Sequence, residues 1–283
     1  MLDLFATDEQ VTFESLSHQR TVIGLEALNV SQTLNAFTGR LPEFLDGAKQ
    51  FIAGVLSPAS PKPQLVDSRK LEHLMRDVDY VSAAPLRVFV PVGFNTTWLQ
   101  YIELLAQAQK VLDDLQKGLL KPFETWIGTL LMRPDALRAV SFTPDLARYK
   151  APDLDGLKQA FANSFDKSGK TESTYGAVIK RHGDLPMVTR NLNDVNGKYA
   201  SINRKELLKQ VTDISVLLDK LITNIKEDPE TYQVSGPVLK QLTDLTYFMA
   251  REVEFYSTVG YFLQAFTTSV DDSYKNLTNI LSK

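Results

Sequence analysis

The segment SGKTES, Ser168 to Ser173, carries the glycine, lysine and hydroxyl with which a phosphate loop cradles a nucleotide, so nucleotide binding is the first chemistry to weigh. A working loop needs a second glycine five positions before Gly169, and Ser164 stands there instead. The upstream residues AFANSF have helical character where a strand should lead into the cradle, so DKSGKTEST reads as a polar surface turn. The three histidines, His18, His73 and His182, are far apart and form no HExxH pair; Glu72 beside His73 lies on an adjacent helical face. Asp77 and Asp79 are two apart and point in different directions on a helix, which suits solvation better than a pair of carboxyls gripping a glycosidic bond. No GxSxG elbow is present.

In HGDLP, His182 and Asp184 flank a glycine and could act together on a substrate, yet Asp184 as a helix cap with Leu185 and Pro186 in the first turn accounts for the same residues. Lys180, Arg181 and Arg190 could form a basic patch near Tyr175 and His182, without any groove-reading or RNA-stacking motif around them. The triplets beginning at Asn29, Asn95 and Asn276 match glycosylation acceptors, which matter only for an exported chain. No catalytic, cofactor-binding or metal-ligating residue is assigned, and no cofactor is expected.

Cysteine is absent, which removes disulfides, thiolate metal sites and cysteine nucleophiles. With 31 Lys and Arg against 34 Asp and Glu, the net charge of -3 gives no overall field toward nucleic acid or anionic lipid. The start, MLDLFATDEQ, is acidic where a signal peptide is basic, and no apolar run reaches the roughly 18 to 20 residues of a membrane span. The expectation is a chain without an export signal or a conventional transmembrane segment.

The elements that would position any site are helical. Apolar spacing predicts a helical pair over Thr12–Phe37 and Leu41–Leu56, an extended SPASPKP connection, and a helix from about Val66 to Tyr80. Extended residues between Pro85 and Pro91 follow, then a helix capped by Asn95 or Thr96 whose first turn Phe94 and Trp98 brace. Pro122 starts another helix, Pro134 and Pro144 divide the chain into short pieces, and Asp153 to Phe165 forms a modest helix. Leu185 to Val195 forms a helix broken near Asn196-Gly197, and Ile202 to Ile225 is amphipathic. From Val238, the positions Leu242, Leu245, Met249, Glu252, Tyr256, Val259, Leu263, Phe266, Val270, Tyr274, Leu277 and Leu281 repeat at four- and three-residue steps with one charged interruption. A continuous helix over Pro237 to Ser282 would be roughly 70 Å long. Extra aromatics widen its apolar surface, which favours a multi-helix bundle over an isolated dimeric coiled coil. The fold class expected is all-α, an elongated multi-helix bundle with a short proline-containing extended segment. Residues 1–183 would form a helical body and 184–283 a long-helix bundle region.

Within the extended segment, VFVPVGF could clasp the end of the bundle, contact a partner or insert into a membrane. The interaction candidates are Val90, Phe94, Trp98, Met249, Tyr256, Leu263 and Phe266. Four stretches, SLSHQRTVIGLEAL, RVFVPVGFNTTWLQYIELL, TYGAVIKRHGDLP and TYFMAREVEFYSTVGYFLQAF, give an arrangement that resembles virion structural or internal-head proteins of large tailed bacteriophages. The resemblance implies a noncatalytic virion component, located in the virion or in the host cytoplasm during assembly. It also implies partners among itself or other structural proteins, with proximity to packaged DNA but no sequence-specific binding. The function expected is therefore structural, acting through helical protein–protein contacts. A membrane-remodelling or pore-forming protein and an enzyme with a dispersed site stay open as alternatives.

Overall fold

The computed structural model describes residues 65–165, 169–202 and 204–283. The two N-terminal helices, SPASPKP, His18 and the Asn29 triplet lie outside the described residues. Among the described residues the fold is predominantly all-α with two short strands. In chain order the elements are α1 (Arg69–Met75), α2 (Tyr80–Ala83), β1 (Arg87–Pro91), α3 (Trp98–Asp114), a π-helical segment (Leu115–Leu120) and α4 (Lys121–Met132). A 3₁₀ turn (Pro134–Arg138), α5 (Pro144–Arg148), α6 (Leu154–Ser164), β2 (Lys170–Thr174), α7 (Tyr175–Val178), α8 (Asp184–Ser201), α9 (Arg204–Glu227) and α10 (Gly236–Leu281) follow.

The chain forms two compact units assembled from alternating segments. Among the described residues the first takes 114–151 and 204–254, and the second takes 65–113, 152–202 and 255–283. The division expected at 183–184 falls inside a segment of the second unit.

In the first unit, α4 and α9 pack together, burying Phe123, Trp126, Ile127 and Leu130 from one and Leu207, Val211, Ile214, Leu218 and Leu221 from the other. Those spacings are the three- and four-residue steps that put side chains on one face of a helix. Pro122 sits in the first turn of α4. It has no N–H for the carbonyl of Gly118, and its ring would crowd that carbonyl; the wide π turns of Leu115–Leu120 fall where this conflict would arise.

The second unit holds the sheet. β1 pairs antiparallel with β2, Arg87 opposite Thr174 and Pro91 opposite Lys170. The polar turn expected over DKSGKTEST is therefore corrected at Lys170–Thr174, which is a strand: its side chains are mostly exposed, so its pairing comes from the backbone and leaves no apolar alternation to read. Four further expectations change. The helix expected over Val66–Tyr80 ends at Met75, and a new one starts at Tyr80, where extended Asp79 accepts from Ser82 N–H (3.0 Å) as its cap. Thr97, not Asn95 or Thr96, begins α3: its hydroxyl accepts from Gln100 N–H (3.3 Å) while Gln100 Oε1 accepts from Thr97 N–H (3.2 Å), a reciprocal capping box. Asp184 is the first residue of α8, not its cap, and accepts from Arg181 N–H (3.1 Å). Helix α8 continues through Asn196-Gly197, where Asn196 Nδ2 donates to Thr267 Oγ1 (3.2 Å) and Oδ1 accepts from it (3.3 Å).

The 46 residues of Gly236–Leu281 form one helix, as the apolar repeat predicts. From Val238 to Leu277 its repeat positions are buried, and the flank is sealed within the chain. At Gly260, α10 lies tight against Tyr199 of α8: a Cβ there would lie 2.0 Å from Tyr199 Oη and 2.7 Å from its Cζ. Tyr199 stacks on Tyr256 (ring centres 4.8 Å, 16° apart) and donates to the Tyr256 carbonyl (3.1 Å), so it cannot easily move away. Gly260→Ala is expected to cost about 1–3 kcal/mol by overpacking. Chemical denaturation of the single and double variants checks this: Tyr199→Phe, by removing the oxygen, should recover part of the loss.

Candidate functional site

The stretch VFVPVGF is folded in as a clasp. Val88 and Val90 are buried, and a turn over Pro91–Phe94 closes with Phe94 N–H on the Pro91 carbonyl (3.1 Å). Gly93 has φ +79°, a backbone position that side-chain-bearing residues rarely take. The edge of β1 away from β2 is covered by α10. Phe89 N–H donates to Ser273 Oγ (2.7 Å), and the single proton of that hydroxyl is shared by the carbonyls of Phe89 (2.9 Å) and Ser269 (2.7 Å). Asn276 Nδ2 donates to the Arg87 carbonyl (3.0 Å), so the amide of this acceptor-like triplet is already engaged. The Asn95 amide donates to the Asn163 carbonyl (3.0 Å). A strand edge left open would template further pairing; here side chains of a helix satisfy it.

Beside the clasp lies an aromatic seam. Half-buried Phe94 faces Tyr101 (5.7 Å between ring centres), Phe266 (5.9 Å) and Phe165 (6.4 Å), and Tyr101 meets Phe266 at 4.7 Å. Trp98, one turn earlier on α3, packs edge-on to Tyr274 (6.0 Å). Phe94 thus meets the first turn of α3 at Tyr101 and reaches across to Phe266, while Trp98 packs on Tyr274. Of the seven interaction candidates, Val90, Phe94, Trp98, Tyr256, Leu263 and Phe266 belong to the second unit and Met249 to the first. All except Phe94 are fully buried. Their apolar surface is spent inside the chain.

The HGDLP region gathers a smaller polar cluster. Tyr175 Oη lies 3.2 Å from His182 Nδ1, Tyr80 stands edge-on to the His182 ring (5.5 Å) and donates to the Ile179 carbonyl (2.8 Å). Burial pushes the Tyr175 phenol well above its ordinary value, and Tyr80 and Asp184 add to the shift. Tyr175 is buried while Lys180, Arg181 and Arg190 are exposed, so the Tyr175 ring is not open to base stacking beside them. Ser164, at the position of the missing phosphate-loop glycine, is helical and bonds the Ala160 carbonyl (2.6 Å). His73 is exposed and His182 half-buried, and among the described residues no group of three or more metal-ligating side chains comes together. Among those residues no helix is long and apolar enough to cross a membrane.

One polar site stands in the first unit. Glu252, the charged interruption of the apolar repeat, is 1% exposed. Tyr149 Oη donates to Glu252 Oε1, while Oε2 has no hydrogen-bond partner among the described residues. Burial pushes the Glu252 carboxyl up to about 7, Tyr149 opposes the rise and the charge of Asp114 adds to it. The repeat marks Glu252 as anomalous, but Tyr149 lies 103 residues away and no local signal names it.

Compared with protein-family models, with curated proteins and with solved structures, the chain matches none. The clasp makes its own prediction. Ser273→Ala leaves the Phe89 N–H without its partner and should destabilise the protein by about 1–3 kcal/mol, read from the denaturant midpoint at unchanged m-value.

Proposed function

We propose that the protein is a noncatalytic structural or assembly protein, a virion component in the manner of the bacteriophage head proteins it resembles, acting through helical contacts with its own copies or other structural proteins. The observation that carries this reading is α10, 46 residues of continuous helix contributed to both units, several times the roughly 11–12 residues of an average helix. The polar side chains around its second half support the same reading. Ser273, Asn276, Asn196, Thr267, Tyr199 and Tyr274 are used to fasten neighbouring segments to the helix. Such investment suits a body that must keep its shape among other bodies.

Because Leu263 is fully buried within the chain, assembly would use other surfaces. Leu263→Glu should therefore unfold the protein and not merely separate copies, losing about 3–5 kcal/mol as an unpaired charge enters the core. Sedimentation of the unmodified chain across a wide concentration range tests the self-assembling form. Species heavier than the 31.8 kDa monomer are expected, and a lone monomer at every concentration would count against it.

A further inference from the structure

Glu252 is the one charged side chain among the described residues that is fully buried. It occupies a repeat position of α10 where an apolar side chain would pack, between Met249 and Tyr256. A carboxylate buried with one donor is costly, because each unsatisfied oxygen has left water without replacement. Two groups from other segments of the unit act on its charge: Tyr149, just after α5, and Asp114, at the end of α3. Neither brings a positive charge; along the helix itself Arg251 precedes Glu252 and Glu254 follows two residues on.

The surroundings of Tyr149 connect this acid to an irregular part of the fold. Its ring lies over Gly118 in the π segment, where an added Cβ would sit 3.4 Å from Tyr149 Cδ2, and Asp114 immediately precedes that segment. Tyr149 itself is half-buried in extended backbone (ψ 130°), outside any helix. The segment it belongs to, 144–151, is a helix of five residues that packs on the π segment and α4 and buries Leu146, followed by irregular chain that reaches α10 through the Tyr149–Glu252 contact.

We propose that Glu252, Tyr149 and Asp114 form a proton-operated latch: protonated Glu252 keeps segment 144–151 seated on α10, and ionised Glu252 releases it. The neutral acid leaves a single hydroxyl unpaired in the interior, whereas the anion leaves a charge facing Asp114. The folded carboxyl holds its proton more tightly than an exposed glutamate with its ordinary value of 4.5. The closed segment is therefore fully favoured below pH 4.5, loses stability as pH rises toward about 7, and loses no more above that. The latch is independent of whether the chain assembles.

Hydrogen exchange of the full chain from pH 5 to pH 8, corrected for intrinsic rates, tests it. Protection over 144–151 should fall at least about tenfold between pH 5 and 7 and then level off, while 87–91 stays flat. Glu252→Gln, an isostere of the neutral acid, should abolish the fall. A flat wild-type profile, a fall shared equally by 87–91, or a fall that persists in Glu252→Gln would overturn the proposal. Should the variant not fold, the infrared carboxyl band of the wild-type protein decides: a protonated buried acid at pH 5 that ionises near pH 7 supports the latch, and a carboxylate throughout refutes it.

Discussion

The structure depends on one constraint: a 46-residue amphipathic helix cannot remain in water with its apolar flank exposed. Val238, Leu242, Met249, Val259, Leu263, Phe266, Val270 and Leu277 are all fully buried. At about 25 cal/mol per Å² of apolar surface, burying a Leu or Phe side chain contributes about 1.5–3 kcal/mol, so this flank outweighs any single polar contact in the molecule. The interleaved course of the chain follows from the same need. Segments 114–151 and 204–254 close one unit, and segments distant in sequence close the other, with α10 contributing to both.

Polar chemistry serves placement. Burying backbone is tolerated only when its N–H and C=O groups find partners, and α10 supplies them to β1 through Ser273 and Asn276. Asn193 does the same for the chain entering at Val66, accepting from its N–H (2.9 Å) and donating to its carbonyl (2.8 Å). These pairs fix register where apolar packing alone would permit sliding. Glu252 is a buried acid that, among the described residues, has a partner on one oxygen only, and burial pushes its carboxyl up to about 7.

What was legible in the sequence followed helical periodicity. The span of α10, the amphipathic face of α9 and the proline-initiated α4 can all be read because burial imposes three- and four-residue steps. The pairing of β1 with Lys170–Thr174 could not, since KTEST exposes nearly every side chain and its partner lies about 80 residues earlier. Thr97 and Gln100 carried a readable capping signal in T-x-x-Q that the nearby Asn95 and Thr96 obscured. The apolar repeat pointed to Leu263 and Phe266, and VFVPVGF with the helix after it to Val90 and Trp98, as contact makers but not to the contacts, because an apolar pattern states that a face is buried and not by what. Two of these contacts, Trp98 with Tyr274 and Phe266 with Phe94, join residues more than 170 positions apart.

Since the chain contains no cysteine, a single introduced thiol reports accessibility without background. The most direct test of the central claim is the rate at which a maleimide modifies Leu263→Cys in folded protein diluted until only single chains remain. Burial within the chain predicts labelling limited by unfolding and independent of dilution. Prompt labelling in the dilute folded chain, suppressed only on concentration, would contradict it and move the apolar flank to an interface between molecules.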